Sequence, residues 1–377
     1  MKILIASDSF KESARAIDAC EAMANGITNA DSSIKIELFP LADGGEGTAE
    51  IMTFYASGNA LWLETKDPVG RSITASYGIS GDETTAFIDM ASASGLQLLA
   101  PEERNPLNTS TFGTGLMIKH AMEKGVSKII LGIGGSATND AGIGMAKALG
   151  YRFYDEENNE LAGNGSDLGK ITRYEVDEKL LEKLPEIQVL ADVNNPLYGH
   201  QGAAFIYGKQ KGASGKDILL LNQGLQSIAK IVSEQTGQSY EQHAGAGAAG
   251  GLGYGAEVFL NATLIPGAET VMSGSGIEKA IEDADFIFTG EGTIDEQTKN
   301  GKLISGICKM AARYEVPVIG FCGKLNVTVS DLKKIGLQAA FSILNEPMDL
   351  STALLRTEIL LKKSAENVTR LIICGKD

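Results

Sequence analysis

The 377-residue chain carries a net charge of −15, and 43% of its residues are hydrophobic and 21% charged. At roughly 150 residues per domain this length suggests two domains, and the composition excludes a disordered, collagen-like or coiled-coil protein. The acidic balance argues against a nucleic-acid or anionic-membrane surface, because both require clustered Lys and Arg. If the ligand is an anion, its positive partners must therefore be local.

Glycine is the compositional outlier. The 45 glycines make up about 12% of the chain, against an average near 7%, which predicts that the function depends on backbone groups. The four cysteines and three histidines are scattered, with no spacing typical of a zinc site or a disulfide framework. No apolar run reaches the length of a signal-peptide core or a membrane span, so we expect a cytoplasmic protein.

The predicted elements begin as an alternation of strands and helices, which favours a parallel sheet with helices on its faces. In chain order these are a strand at 2–6, a helix spanning 17–27, a strand at 34–38 and a helix at 48–55. A β-meander is predicted next, with strands at 61–65, 73–79 and 85–90. It is followed by a helix at 114–124, a strand at 128–133, a helix at 141–149 and a strand at 188–192.

The alternating pattern returns near the C-terminus. Its elements are a strand at 284–289, a helix at 302–314, strands at 316–322 and 339–344, a helix at 351–368 and a strand at 371–374. The meander and the elements after it differ from both chain ends. They are therefore the natural candidate for an inserted second domain.

Polar residues concentrate in turns that follow predicted strands, where open α/β sheets bind their ligands. The turn at 7–13 contains Asp8, Ser9 and Lys11. A lysine here can meet a phosphate or carboxylate as a point charge, next to a positive helix N-terminus. The alternative is that Ser13 caps the following helix and Lys11 is solvated.

The second turn, residues 40–48, holds Asp43, Gly44, Gly45 and Glu46. Its glycines permit positive φ angles and a close approach of a ligand to the backbone. A plain loop needs one such glycine, so three glycines around two carboxylates indicate function.

The third turn, residues 132–140, leads from a predicted strand into a predicted helix. Amides at such a helix start form an anion cradle, to which small polar side chains add donors. The candidate anion-binding residues are Gly134, Gly135, Ser136 and Asn139. The alternative is a tight structural turn that Asn139 or Asp140 caps.

Two more turns add carboxylates and amides. The turn at 191–197 supplies Asp192, Asn194 and Asn195 at the end of a strand. The segment at 290–298 supplies Glu291 and Asp295. The same segment also contains Glu296 and Gln297, and Lys302 follows shortly after it.

Two glycine patterns allow a different interpretation, an NAD(P)-dependent dehydrogenase of a small hydroxy acid. Residues 132–137 match GxGxxA, but no acidic residue ends a strand about 20 residues later, where the ribose partner belongs. Residues 245–250 match GxGxxG, but the polar segment before them is not a strand. Small-residue packing or a loop touching a ligand explains the second match better.

Six segments, in this order, resemble motifs of the glycerate kinase type-1 family, which includes the bacterial D-glycerate kinases. They are DSFKES at 8–13, PLADGGEGT at 40–48, GIGGSATND at 132–140, DVNNPL at 192–197, GAGAAGGLG at 245–253 and GEGTIDEQT at 290–298. The resemblance covers nearly the whole chain. Glu12 departs from the pattern, because many members have glycine there.

The resemblance implies an ATP-dependent kinase of D-glycerate with two α/β domains and an active-site cleft between them. We expect a discontinuous Rossmann-like domain with a parallel sheet, residues 1–64 and 265–377, and an inserted mixed α/β domain, residues 65–264. No nucleic-acid or membrane partner is expected, and the chain is expected to be a monomer or a homodimer.

Phosphoryl transfer asks the protein mainly for positioning and charge stabilisation. We therefore expect Lys11 to stabilise a phosphate or the substrate carboxylate. Asp43, Asp192 and Asp295 would divide Mg²⁺ binding and acceptance of the hydroxyl proton, with Asp192 and Asp295 as the metal ligands. Asp192 is favoured as the base, because its neighbouring asparagines can orient a small polyol acid. The product is expected to be 2-phosphoglycerate, with 3-phosphoglycerate as the alternative.

Overall fold

The computed structural model describes residues 1–295, 298 and 302–375. The chain divides into two compact units, the first formed by Met1–Asp43 with Ala268–Asp377 and the second by Gly44–Gly267. The first boundary therefore precedes the predicted one at 64/65. The reason is that the strand at 59–66 pairs with its neighbour in the second unit.

The strands are β1 Lys2–Ser7, β2 Lys35–Leu38, β3 Asn59–Lys66, β4 Ser72–Ile79, β5 Thr85–Asp89, β6 Lys128–Gly132, β7 Arg152–Tyr154, β8 Arg173–Glu175, β9 Glu186–Leu190, β10 Thr263–Ile265, β11 Phe286–Ile294, β12 Val318–Leu325 and β13 Ala339–Ser342. The helices up to the middle of the chain are α1 Ala16–Ala30, α2 Thr48–Tyr55, α3 Ala91–Ser94, α4 Phe112–Glu123, α5 Ile143–Ala148, α6 Glu178–Leu181 and α7 Ala203–Tyr207. The later helices are α8 Gly215–Thr236, α9 Ala248–Leu260, α10 Gly267–Ser275, α11 Ile277–Ile281, α12 Lys302–Ala312, α13 Val329–Ile335, α14 Leu350–Leu355 and α15 Thr357–Cys374.

The first unit is built on a parallel sheet with the strand order β13-β12-β11-β1-β2. Every residue of β1 is buried, because the strand lies inside the sheet and both of its faces are covered. This explains why β1 is a continuous apolar run rather than an alternating one. Helices α1 and α15 pack on each other and contribute Met23, Leu361 and Ala365 to a core that also contains Phe288 of β11. The predicted parallel α/β architecture is confirmed.

The second unit has a mixed sheet with the order β10-β9-β6-β5-β4-β3. Strands β3, β4 and β5 form the predicted antiparallel meander, and β5, β6, β9 and β10 pair in parallel. Exposed residues alternate with less exposed ones along most of β3, which fits an edge strand with one solvated face. No described helix is both long and apolar enough to cross a membrane.

The predicted strand at 371–374 is wrong, since helix α15 continues to Cys374. Ile372 and Ile373 pack against the core that α1 shares, while Leu371 is exposed, which is the pattern of a helix with one buried face. Helix α8 was not predicted, although Ser214 and Asp217 form a capping box at its start.

The glycine-rich run at 245–253 forms the irregular start of α9, where Ala249, Gly250 and Gly251 have left-handed φ angles. A Cβ atom on Gly250 would lie 2.0 Å from the carbonyl oxygen of Thr138. The amide of Ala141 donates to the carbonyl of Gly250 over 3.1 Å. The run therefore supports the loop at 134–142 by close backbone packing.

The substitution Gly250→Ala is expected to lower the free energy of unfolding by about 3 kcal/mol or more, because it adds a steric clash to backbone strain. Gly237→Ala is the matched control: its φ of +70° is close to the +71° of Gly250, but nothing lies within 4 Å of the added Cβ. This control should lose only about 1 kcal/mol. Denaturant unfolding followed by circular dichroism measures both, and equal losses would contradict the packing role.

Candidate functional site

A cavity of about 740 Å³ lies in the first unit at the carboxyl ends of its parallel strands. Asp8 and Lys11 reach it from the turn after β1, and Asp43 from the segment after β2. Glu291 and Asp295 line it from β11 and the residue after that strand. Ser9 also lines it, so six of the predicted site residues, from three separate turns, share one cavity.

Asp8 is the most deeply buried carboxylate of this cavity, with 8% of its surface exposed. Burial raises the pKa of Asp8 to about 8, and the negative charges of Asp43 and Glu291 act in the same direction. The amide of Ser9, which donates to Asp8 Oδ1 over 2.6 Å, and the charge of Lys11 oppose this shift. The carboxylates therefore repel one another more than the nearby lysine compensates.

Thr298 links the two acidic residues of the β11 segment. Its hydroxyl donates to Glu291 Oε1 over 2.8 Å and accepts from the amide of Asp295 over 3.1 Å. Burial raises the pKa of Glu291 to about 7, and the charges of Asp295 and Asp43 act in the same direction. The hydrogen bond from Thr298 acts in the opposite direction and lowers the pKa. Glu296 and Gln297, which belong to the same sequence motif, lie outside the described residues, as does the side chain of Lys302.

The turn after β1 does not cap helix α1. Helix α1 begins at Ala16 after Arg15, and the hydroxyl of Ser13 donates to the carbonyl of Phe10 over 2.9 Å. The interpretation of Ser13 as a helix cap is therefore wrong. Glu12 has a φ of +64°, which explains why glycine suits this position in the family that the sequence resembles.

In the second unit, the loop that begins with Gly44 and Gly45 lies against the start of the loop after β6. A Cβ atom on Gly134 would lie 2.5 Å from the Cα of Gly45. Asp89, at the end of β5, accepts hydrogen bonds from the amides of Gly47 and Ala49 over 2.9 and 3.0 Å. These glycines thus let two loops approach each other. Glu46, in the same loop, is exposed.

Lys211, which is 2% exposed, holds the loop after β6 in place through hydrogen bonds. Its Nζ donates to Ser136 Oγ and to the carbonyl of Thr138, each over 2.6 Å. Burial lowers the pKa of Lys211 to about 7, and the charge of Asp140 partly opposes the effect. The hydroxyl of Ser136 is therefore positioned by a buried amine.

Asn139 and Thr138 are fully buried with unmatched polar atoms. Both side-chain amide atoms of Asn139 and the hydroxyl of Thr138 make no hydrogen bond in the structure. Buried polar groups in native proteins nearly always have partners, so an unmatched group indicates bound water or a ligand. Gly135, in the same loop, has a φ of +76°.

Asp140 has a structural role. It accepts hydrogen bonds from the amide of Thr111 over 2.7 Å and its hydroxyl over 2.8 Å, and from the amides of Gly142 and Gly144 over 3.1 and 3.3 Å. Burial raises its pKa and these bonds oppose the shift. Asp140 joins the starts of α4 and α5, as the structural interpretation proposed.

The three predicted site residues of the turn after β9 have different surroundings. Asp192 is half-buried and accepts a hydrogen bond from the amide of Gly267 over 3.1 Å, and Asn194 is exposed. Asn195 uses both amide atoms inside the protein: its nitrogen donates to the carbonyl of Gln201 and its oxygen accepts from Tyr207.

The carboxylate oxygens that line the cavity of the first unit are suitable ligands for a hard cation. Within the described ranges no three His, Cys, Asp or Glu side chains converge as a ready metal site. Mg²⁺ needs no such cage, since it binds one or two carboxylates and completes its shell with water and substrate phosphates. The neighbouring negative charges that help to raise the pKa values of Asp8 and Glu291 provide the field that such a cation neutralises.

Three residues of these two regions were missed in the sequence. Lys324 lines the cavity from the end of β12, and the strand-end rule applied to that strand would have found it. Asp89 was assigned to a strand, so its role at the strand end was overlooked. Lys211 carries no local signal, because its partners lie more than 70 positions earlier in the chain.

The chain is similar to known proteins over its whole length. Residues 3–373 match the model of the glycerate kinase family. The chain is 44% identical to a glycerate kinase of Halalkalibacterium halodurans over 370 residues, which is 97% of either protein. It is 39% identical to a glycerate 2-kinase of Escherichia coli K12 over 378 residues, or 100% of this chain and 99% of the relative.

A solved structure is also similar. The crystal structure provisionally assigned as glycerate kinase 2 from Salmonella typhimurium LT2 superposes with a TM-score of 0.84 at 40% sequence identity. The match covers 100% of this chain and 99% of that one.

The raised pKa of Asp8 predicts that stability depends on pH. The folded chain keeps a proton up to about pH 8 that the unfolded chain releases near 3.8, so this group lowers stability as pH rises between those values. Asp8→Asn cannot ionise. In metal-free buffer at pH 8.5 we expect its thermal midpoint to exceed that of the parent by about 3 °C or more, with a smaller gap at pH 5.

Asp31→Asn is the control for this comparison. Hydrogen bonds from Ser33 hold the pKa of this exposed carboxylate below its usual range, so its removal should give no gain at pH 8.5. Equal midpoints for Asp8→Asn and the parent at pH 8.5 would contradict the assignment of Asp8 as an electrostatically strained group.

Proposed function

Because the chain belongs to the glycerate kinase family, whose members are phosphotransferases, we propose that it transfers the terminal phosphoryl group of ATP to D-glycerate. The observation that carries this proposal is the cavity where Lys11 and four carboxylates meet at the strand ends of the first unit. Phosphoryl transfer needs such charged groups to position the phosphates and to stabilise developing charge.

Mg²⁺, when bound, would neutralise charge on the phosphates of the nucleotide. Of the two carboxylates considered as its ligands, Asp295 is the one we propose, because it lines the acidic cavity beside Glu291. The carboxylates of Asp43 and Asp8 add to the negative electrostatic potential of this cavity. Lys11 contributes the positive charge that interacts with phosphate oxygens.

Asp192 is proposed as the group that accepts the proton of the glycerate hydroxyl. It lies two residues after β9 and is half-buried, so the residue is partly open to solvent. Exposed Asn194 is better placed than Asn195 to orient the substrate, since the amide of Asn195 is already occupied. The catalytic cost of losing a positioned base is typically a factor of 10² to 10⁴.

The loop after β6 is proposed to bind an anionic group such as the glycerate carboxylate. The unmatched amide of Asn139 supports this role, and Ser136 is positioned by Lys211. Gly134 and Gly135 bring the backbone of the same loop close to its neighbours without side chains in the way. Such a loop binds anions through amides rather than through a surface lysine.

We propose 2-phosphoglycerate as the product. The support is the relative from Escherichia coli, a glycerate 2-kinase that matches this chain along nearly its full length. Transfer to the 3-hydroxyl would require only a small shift of the substrate. The alternative product is therefore 3-phosphoglycerate.

Phosphorus NMR of the reaction with ATP, Mg²⁺ and D-glycerate tests both parts of the proposal. We expect the resonance of 2-phosphoglycerate and stoichiometric ADP, and no ADP release when glycerate is omitted. L-glycerate serves as the stereochemical control. A 3-phosphoglycerate resonance would overturn the regiochemistry, and the absence of any phosphate ester would overturn the function.

Asp192→Asn tests the proposed base. We expect kcat to fall by roughly 10² or more, because the amide cannot take the hydroxyl proton. The thermal midpoint should stay near that of the parent, since the amide oxygen can still accept from Gly267. Glu182→Gln, an exposed position in the same unit, is the control and should retain parental kcat. Turnover of Asp192→Asn within a few-fold of the parent would exclude Asp192 as the base.

A further inference from the structure

The cavity of the first unit has two chemically different ends. The sheet order places β13 at one edge and β2 at the other, with β1 next to β2. Ile343 and Leu344 line the cavity immediately after β13, whereas Asp8 and Asp43 follow β1 and β2. Neighbouring strands are about 4.8 Å apart, so β13 lies roughly 14 Å from β1 and roughly 19 Å from β2 across the sheet.

The apolar end exposes large hydrophobic side chains. Leu350, the first residue of α14, is 74% exposed, and Leu344 is 42% exposed. Met348, Ala353 and Leu354 complete this end of the cavity. Exposed apolar groups gathered around a cavity are typical of a ligand-binding surface.

Glycerate does not match this end. It is a three-carbon acid in which every carbon carries oxygen, so it has no apolar surface to bury against leucines. A cavity of about 740 Å³ is also in the size range that holds drug-sized ligands, roughly 300 to 1,000 Å³. The ligand that fits is larger than glycerate, with an apolar end and a charged end that brings a cation to the carboxylates.

The region between the two ends supplies backbone and positive charge. Gly323 and Lys324 line the cavity at the end of β12, and Gly292 and Thr293 do so within β11. An ammonium group here lies between the apolar end and the carboxylates. It is suited to the phosphate closest to a nucleoside, while Lys11 is suited to the distal phosphates.

We infer that this cavity is the nucleotide site, with the adenine ring between Leu344, Leu350 and Ala353 and the phosphates directed toward Lys324 and Lys11. The inference rests on the proposed function and adds which unit holds ATP and in which direction. The acidic end then receives the terminal phosphate together with its cation.

Two exposed leucines of α14 provide a matched test. Leu350 lines the cavity, whereas Leu355 is 87% exposed and does not. Calorimetric titration with MgADP should show at least a fivefold weaker Kd for Leu350→Glu and a parental Kd for Leu355→Glu. Ala353→Trp, which fills the apolar end, should weaken MgADP at least tenfold. The KM for glycerate should stay within twofold of the parent in all three variants.

Adenosine and inorganic pyrophosphate separate the two ends of the cavity. Leu350→Glu should weaken adenosine binding, and Lys324→Ala should weaken pyrophosphate binding while leaving adenosine binding unchanged. If the parent phosphorylates glycerate while Leu350→Glu and Ala353→Trp bind MgADP as the parent does, the inference is overturned and the proposed function stands. If these variants lose MgADP binding but the parent forms no phosphoglycerate, the nucleotide site is supported and the proposed function is overturned.

Discussion

The parallel pairing of β1 with β2 and β11 determines where negative charge accumulates in this protein. Parallel strands end at the same edge of their sheet, so Asp8, Asp43 and Glu291 meet there although up to 283 positions separate them in sequence. Burial in that position makes each charge more costly and raises the pKa values of Asp8 and Glu291. The unit is thus preorganised for a ligand that carries cations, and the apolar residues after β13 add a surface for its uncharged end.

In the second unit, many glycines are needed because backbone segments pack closely against one another. There the glycines of three segments let backbones come closer than any side chain would allow, as the contacts of Gly134 with Gly45 and of Gly250 with Thr138 show. A loop packed this closely has little freedom to rearrange. Lys211 and Asp140 strengthen the same loop through buried hydrogen bonds, so polar side chains and bare backbone act together.

Strand-end turns were the most predictable part of the site, because a parallel sheet brings them to one edge whatever the details of packing. The predictions for Lys11, Asp43, Glu291 and Asp295 rest on this rule, and the structure brings the four residues to one cavity. Lys211 was not predictable, since only the tertiary fold brings it beneath Ser136. Contacts such as those of Asn195 were equally unpredictable: its amide nitrogen donates to Gln201 and its amide oxygen accepts from Tyr207, and neither partner is apparent from the motif.

The sequence by itself determined the α/β class, the alternating strands of the first unit, the meander of the second and the family. These properties follow from local hydrophobic periodicity and from contiguous motifs. The tertiary structure alone decided which polar residues share a cavity, that 245–253 packs against the loop after β6, and that residues 371–374 are helical rather than a strand. Those outcomes depend on contacts between distant segments, whose energies no local pattern contains.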